Sequence, residues 1–508
     1  MFFRSLGFTS HPFVKTNADE EPQLSQYFVP PPFFSGVIGD PNNPSACIVK
    51  APRGGGKTAQ KRMVEEWAAK NGVLAVAYDR FEFSASQQIE SVSLQYHAKN
   101  IIIKILATFL SYLSENSNLL SNLPKSKKKQ LSIFVHAYLG DMTSEKFNII
   151  LNDIKSLPQK IRSFWTTNVG VFESIVNILL KNYGLEAIDL PELNQEEKKL
   201  SSTYKFQLEL LFELIKDIGL SSIYVLIDKI DETEKTGNNA EAAYGLIRPL
   251  VKDLELLGLR GYGFKFFVWD KIEEYLRVDA RPDRITSYQL SWKRNELENV
   301  LSKRLAAFSE GRILKFKDIV DKEIDYDIDS VICILANRSP RNVIRICEKI
   351  LSSQAQINPL SMCIELKALE VGIDNYCNEV ALDIYGEKVV KEIRRIGKEL
   401  FTINFIASEV FKENHEVTSR NKVVAWTNAG AVKQICSIVV KGKRRPLNFY
   451  YICDPVLVRM IHSSQQIIKF FQDRWIACDY CHHDNLMDFG LFPENNPPIC
   501  IECGRDLF

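Results

Sequence analysis

Long apolar runs alternate with polar, helix-periodic stretches through the first half of this chain. That is the pattern of a mostly parallel sheet wrapped by helices. "SACIVKA" (45–51), "GVLAVAYDR" (72–80), "SSIYVLID" (221–228) and "FKFFVWD" (264–270) read as buried strands. "KTAQKRMVEEWAAKNG" (57–72) has helical spacing and stops on a glycine. Between residues 86 and 217 the period is helical and strand signals are sparse, which predicts an inserted helical subdomain. Its most apolar stretch, "IIIKILATFLSYL" (101–113), is too short for a bilayer and carries Lys104, so it reads as a buried helix. "PKSKKKQ" (124–130) reads as a solvated lysine loop and "LPELNQEEKK" (190–199) as the linker out of the insertion. After residue 385, three helical segments precede two strands, "AVKQICSIVV" and "LNFYYICD". Three helices and a hairpin predict a winged helix.

A chain of 508 residues exceeds one ordinary core, so several units are expected. The segments read as residues 1–85 and 218–310 for the two halves of an α/β core, 86–217 for the insertion, 311–384 for a helical lid, 385–470 for the winged helix and 471–508 for a metal ribbon. Charge adds one restriction. With 64 basic against 63 acidic residues the net charge is +1, so any nucleic-acid contact must be a local patch. The start, "MFFRSLGFTSHPF", lacks a signal peptide's apolar run, and cysteines such as Cys333, Cys347 and Cys436 sit singly in apolar runs. Both point to a cytoplasmic protein with no membrane contact.

The first candidate chemistry is "APRGGGKTAQ" (51–60). A strand, a glycine loop and a helix form the setting of a phosphate-binding loop. Arg53, Gly54, Gly55, Gly56, Lys57 and Thr58 are the candidate ATP-binding residues. The glycines let backbone N–H groups approach a phosphate, and the helix N-terminus adds positive potential. Lys57 is expected on the β- and γ-phosphates and the Thr58 hydroxyl on Mg2+. Ala51 stands where the usual G-x-x-x-x-G-K-[ST] pattern has its first glycine. "SSIYVLIDKIDETE" (221–234) is an apolar strand ending in acids. A strand beside the loop that presents an aspartate can hold Mg2+, and a nearby acid can polarise the attacking water. Asp228 fits the first role, and Asp231 or Glu232 the second.

These motifs resemble those of AAA+ and STAND ATPases, of the origin-recognition-like and NACHT-like grade. "LGFTSHPF" and "YFVPPPFFSGVIG" (6–13, 27–39) resemble the AAA+ lead-in, whose Pro-Phe segment lies near the adenine in those families. "RPDRITSYQLSWKRNELENVLSKRLAAFS" (281–309) is similar to their last core strand and the helix after it. "ANRSPRNVIRICEKIL" (336–351) is similar to their second-sensor helix, which implies that Arg341 reaches the γ-phosphate. The fourth strand ends in Trp269-Asp270, where those families carry a polar sensor such as Asn or Thr. Arg284 is either an arginine finger toward a neighbouring subunit or a strand cap.

The C-terminal third offers two binding modules. Arg420 and Lys422 lie near the polar face of the expected recognition helix, and Lys441, Lys443, Arg444 and Arg445 at the wing tip. Basic tips favour DNA or RNA, while a regulatory lid is the alternative. "CDYCHHDNLMDFGLFPENNPPICIEC" (478–503) carries two C-x-x-C pairs. Cys478, Cys481, Cys500 and Cys503 fit a closed, structural Zn2+ site, with His482 and His483 as spectators. The ribbon reads as a unit folding on its metal, separately from the rest. It too is a candidate for nucleic-acid or protein contact.

Together these readings give an α/β P-loop NTPase core with a helical insertion, helical lid, winged helix and zinc ribbon, using ATP, Mg2+ and Zn2+. The expected function is an ATPase switch. It oligomerises with its own copies or rearranges to control a separate effector protein, plausibly in prokaryotic antiviral defence. The alternatives are a DNA-handling ATPase for replication initiation or transposition, and a nucleotide-bound scaffold that does not hydrolyse.

Overall fold

The computed structural model describes residues 2–83, 88–116, 119, 123–139, 203–281, 283–412, 416–438, 446–488 and 498–507. The chain divides into two compact units, residues 30–290 and residues 1–29 with 291–508.

The unit of residues 30–290 is built on a five-stranded sheet. Its strands are β1 (Cys47–Ala51), β2 (Val73–Tyr78), β3 (Ser222–Ile227), β4 (Tyr262–Trp269) and β5 (Thr286–Gln289), in the order β2-β3-β4-β1-β5. Every neighbouring pair is parallel. β2, β3 and β4 are buried along their whole length, which explains their unbroken apolar sequences. β5, "TSYQ", is short, polar and mostly exposed, as suits a sheet edge. β4 lies between β1 and β3.

Helices α1 (Lys57–Lys70), α2 (Leu94–Glu115), α3 (Lys125–Leu139), α4 (Tyr204–Asp217), α5 (Ala240–Lys252) and α6 (Glu273–Asp279) are its longest helices among the described residues. Ile101, Ile105 and Phe109 of α2 and Leu211 and Ile215 of α4 share one core with Ile48, Val76, Val225 and Phe264 of the sheet. The apolar stretch 101–113 is therefore a buried helix. The lysine run is not a loop: it opens α3, and Lys127 pairs with Asp217 at 3.1 Å. Most of the expected insertion, including the linker at 190–199, lies outside the described residues. No helix among the described residues is long and apolar enough to cross a membrane.

In the other unit, the first residues pack on α7 (Arg294–Phe308). Arg304 is buried on that helix, and a buried guanidinium needs acceptors. It finds them in the Pro12 carbonyl and the Glu21 carboxylate, while Thr9 N–H donates to the Phe308 carbonyl at 2.9 Å. Segment 6–13 thus belongs with α7 rather than with the nucleotide-loop unit, to which the resemblance assigned it.

α8 (Ile328–Leu335), α9 (Pro340–Ile357) and α10 (Leu366–Ile396) follow. α9 and α10 approach so closely that a Cβ on Gly372 would lie 2.5 Å from the Ile350 Cα. Gly386, at φ 75° and ψ 162°, breaks the helical path of α10. Strand β6 (Leu400–Thr402), an irregular helical stretch over 403–411, α11 (Glu416–Asn428), β7 (Val432–Ile438) and β8 (Leu447–Ile452) come next. The strands form an antiparallel sheet in the order β6-β8-β7. α12 (Pro455–Ile461), α13 (Ile467–Arg474) and the hairpin β9 (Trp475–Ala477) and β10 (Asp484–Leu486) are the last helices and strands among the described residues.

The tail does not fold apart from this sheet, as its shortness had suggested. Cys478, Met487, Cys500, Ile501 and Leu507 share a small core with Leu400 of β6 and Tyr451 of β8. Lys433 of β7 donates to the Ile501 carbonyl at 2.6 Å, and the Tyr451 hydroxyl bonds the Leu486 carbonyl. A segment with so few apolar residues completes its core by borrowing a neighbour's.

Candidate nucleotide site and metal centre

Because the five strands are parallel, their carboxyl ends share one edge of the sheet. The glycine loop follows β1 there. Asp79 follows β2, Asp228 follows β3 and Asp270 follows β4. Ala51 is the last residue of β1, fully buried and in register with Trp269. Regular strand needs no glycine, which accounts for the departure at that position. Gly54 and Gly56 take φ of 76° and 97°. At Gly55 a Cβ would lie 2.9 Å from the Pro52 carbonyl oxygen. Each of the three glycines therefore has its own reason to be one.

The Thr58 hydroxyl donates to Asp228 Oδ2 at 2.9 Å, bringing the first turn of α1 to the end of β3. Asp228 is buried, and burial raises its carboxyl above the usual range, opposed by Lys61 and the Thr58 bond. Lys61, also buried, forms an ion pair with Asp79. Burial alone would raise the Asp79 carboxyl, yet Lys61 holds it below its ordinary value. A hydroxyl and a carboxylate at one point are hard oxygen donors, so Thr58 and Asp228 fit Mg2+.

The Lys57 ammonium folds back on the loop, donating to the carbonyls of Ala51 (3.1 Å) and Pro52 (3.2 Å). Burial lowers its pKa, and Asp231, Asp228, Asp270 and Glu232 act against that shift. Burial raises the Asp270 carboxyl, with Lys57 opposing. Arg53 clamps Asp231: its Nε and Nη2 each lie 2.9 Å from Oδ2, and Nη2 also donates to the Asp231 carbonyl at 3.1 Å. The same guanidinium lies 4.7 Å from the centroid of the Trp269 ring. A cavity of about 580 Å3 opens beside the loop, lined by Pro52, Arg53, Trp269, Asp270, Lys271, Glu273 and Gln289. That is ample for a ligand of nucleotide size. Glu232 is exposed on the turn after β3.

Two candidate arginines lie elsewhere. Arg284 precedes β5, whose first residue is in register with Cys47 at the start of β1, so it sits at the amino edge of the sheet. With a strand rise of about 3.3 Å per residue, it is on the order of 20 Å from the loop of its own chain. Its side chain is 69% exposed. Arg341 is exposed in the first turn of α9, in the other unit. Phe33, of the lead-in at 27–39, stacks on Tyr288 of β5 with centroids 5.0 Å apart.

Among the nucleic-acid candidates, Arg420 is exposed on α11, whereas Lys422 is not available to a ligand. Lys422 Nζ lies 2.6 Å from Glu392 Oε1 and 4.5 Å from the Phe411 ring centroid, so it braces α11 instead. Lys441, Lys443, Arg444 and Arg445 lie outside the described residues.

At the other end of the chain, Cys478, Cys481, Cys500 and Cys503 place their sulfurs within 4.8 Å of one another. Cys478 and Cys503 are 3.7 Å apart, and Cys481 and Cys500 are 3.5 Å apart. A tetrahedral ion with Zn–S bonds of about 2.3 Å requires sulfurs about 3.8 Å apart, so the four thiols fit Zn2+. Two equivalent turns present them. His482 (φ 59°) and Gly504 (φ 72°) follow the second cysteine of each pair, and their N–H groups donate to the carbonyls of Cys478 (2.8 Å) and Cys500 (2.9 Å). Burial works to raise the Cys478 thiol, but the N–H groups of Cys481 and Tyr480 bring it down to about 7. The fully buried Asn485 accepts from Ile501 N–H at 3.0 Å and turns its amide toward Cys500 Sγ at 3.8 Å. Neither His482 nor His483 joins the cluster.

Sequence reasoning missed Lys61, Asp79, the Arg53–Asp231 clamp and Asn485. One signal existed for Asp79, which ends β2 in the way Asp228 ends β3.

No family model and no curated protein matches the chain. Among solved structures it is similar to the Orc1 protein of Aeropyrum pernix in complex with DNA, at 10% identity and a TM-score of 0.36, across 91% of this chain and 99% of that one. Likeness at that level leaves the functional reading to the site itself.

Two outcomes follow from this geometry. Lys57→Ala is expected to weaken ATP binding by about tenfold or more, because a charge-assisted contact worth about 1.5–3 kcal/mol is lost. Titration with a fluorescent ATP analogue measures it, and an unchanged affinity in the folded variant rejects the assignment. The purified protein is expected to carry one Zn2+ per chain. Cys500→Ser should release it and loosen the sheet of β6, β7 and β8 as well, through the shared core. Metal analysis with limited proteolysis reads both effects. Less than half an equivalent of zinc in unchelated protein, or cleavage confined to the tail, contradicts this account.

Proposed function

We infer that the chain is an ATP-binding and ATP-hydrolysing switch that also contacts duplex DNA. The observation carrying the first part is the Thr58–Asp228 hydrogen bond, which joins the phosphate loop's helix to the acid of β3 where Mg2+ would sit. When bound there, Mg2+ would neutralise charge on the β- and γ-phosphates. Lys57 would leave the loop carbonyls to meet the same phosphates. Asp231 is a poor base in this arrangement, because one of its oxygens already accepts two N–H groups from Arg53. Glu232 is the better candidate to orient and deprotonate the attacking water. Arg284 would act as an arginine finger on the nucleotide of a neighbouring copy in a homo-oligomer. Arg341 would read the γ-phosphate from the helical lid.

Nucleotide turnover would oligomerise the chain or rearrange its C-terminal modules. Residues 385–470 are read as a winged helix and α11 as its recognition helix. Ser419, Val423 and Trp426 form the buried face of α11. Its exposed face carries Thr418, Arg420, Asn421, Val424 and Asn428. These residue types suit base edges and thymine methyls, and Glu416 is the one acid on the helix. That face favours a DNA-handling ATPase over a switch for a separate effector, antiviral or otherwise.

Glu232→Gln is expected to keep nucleotide bound and slow hydrolysis by about a hundredfold or more, the usual scale for losing a general base. Asp231→Asn is expected to act on binding instead, by releasing Arg53. Comparing analogue affinity with phosphate release separates the two. Equal hydrolysis in Glu232→Gln and wild type removes that residue from the chemistry.

Arg420→Ala combined with Asn421→Ala should weaken binding to a duplex by about tenfold and blunt preference among sequences, without changing ATP affinity. A gel-shift series at several salt concentrations tests this, and identical binding by the double variant returns α11 to a regulatory role.

A further inference from the structure

A second cavity, of about 240 Å3, lies within the unit of residues 1–29 and 291–508. Trp292, Arg294, Arg338, His483, Asp484 and Glu502 contribute to its wall, where the ribbon meets α7 and the turn before α9. Lys293, Arg294 and Arg338 line it against the carboxylates of Asp484 and Glu502. Arg338 Nη2 lies 2.9 Å from His483 Nδ1. A guanidinium only donates, so Nδ1 accepts, and the proton of the neutral ring sits on Nε2. That Nε2 is buried and has no hydrogen-bond partner among the described residues. A buried donor in that condition is unfavourable until an acceptor meets it.

Arg294 is the second guanidinium of the wall. Its Nε donates to Asp484 at 3.1 Å, and Nη1 donates to Glu298 and Ser330 at 2.8 Å each. It also lies 5.1 Å from the centroid of the Trp475 ring. Arg338 spends Nη2 on His483 and on Glu502, at 3.2 Å, and that carboxylate is half-exposed, so it can yield to a better acceptor.

The backbone points to the same place. Asn337 and Arg338 take φ of 47° and 62° in succession. Asparagine tolerates this region, and a side-chain hydrogen bond to the buried Asp454 holds it. Arginine has no such excuse, and strain of this kind collects at ligand sites.

We propose that this cavity binds a phosphate group, held by the guanidinium groups of Arg338 and Arg294. Guanidinium forks match phosphate oxygens in pairs. The space is far larger than one water and small for a whole nucleoside triphosphate. The phosphate therefore belongs to a small phosphomonoester or to a nucleic-acid backbone.

The test is calorimetric titration of the full-length, zinc-loaded protein with inorganic phosphate, in the presence of saturating Mg2+ and a non-hydrolysable ATP analogue. Saturable binding is expected, weakened about tenfold or more in Arg338→Gly. Glycine keeps the left-handed turn, so zinc content and analogue affinity should not change. Arg294→Gln, on the other wall, should shift phosphate affinity in the same direction. Competition by a DNA duplex in wild type but not in Arg338→Gly assigns the phosphate to a nucleic-acid backbone. Phosphate binding without such competition assigns it to a free phosphomonoester. No saturable phosphate binding, or equal binding by both variants and wild type, overturns the site. Loss of analogue binding in wild type would instead count against the nucleotide loop.

Discussion

The parallel register of the central sheet is the constraint from which the rest of the site follows. It sends the ends of β1, β2, β3 and β4 to one edge, and three of those ends carry an aspartate. Buried carboxylates are strongly unfavourable unless cations or hydrogen bonds meet them. Here the compensation comes from the loop and helix after β1. Lys61 answers Asp79, Thr58 answers Asp228, Arg53 answers Asp231, and Lys57 faces Asp270. The loop and the helix after it are thus the source of positive charge for the acids across from them. A triphosphate with its metal would join a field already close to balance, and would exchange partners within it rather than add bare charge.

That exchange gives the clamp between Arg53 and Asp231 its physical meaning. Arg53 holds the loop to the turn after β3, and its contact with Trp269 extends the link to β4. Three strands' ends therefore move with one side chain. Trp269-Asp270 takes the place where the resemblance expected a neutral sensor, and it fits this arrangement. The ring receives the guanidinium, and the carboxylate faces the lysine of the loop. A neutral amide in place of Asp270 would leave Lys57 with one fewer carboxylate acting on it.

The fold was legible where local pattern decides it. Runs such as "SIYVLI" and "YGFKFFVW" can be little but buried strands, and the glycine loop and the paired cysteines announce their own chemistry. Long-range pairing was not legible. Lys61 and Asp79 are 18 residues apart and Arg53 and Asp231 178 apart, and each alone looks like a surface charge. Lys422 illustrates the converse. It sits where a recognition helix would want a cation, but Glu392 on another helix takes it. The lysine run at 124–130 misled for a related reason, since its charge suggested a loop while its backbone opens a helix. Helical periodicity could place α7, but not the buried Arg304 that draws the first residues onto it.

The same logic explains why the metal centre matters beyond its own ligands. Two of its four cysteines, Cys478 and Cys500, are buried in the core that Leu400 and Tyr451 supply from the antiparallel sheet. Glu399, directly before β6, is fully buried and ties the region together by binding Arg474, His462 and the Asp488 N–H. Binding free energy gained at the thiolates is therefore gained by the sheet as well. That sheet carries α11, whose Trp426 is buried against Phe401 of β6. A metal bound by the four cysteines would thus affect how firmly the exposed face of α11 is held, without touching it.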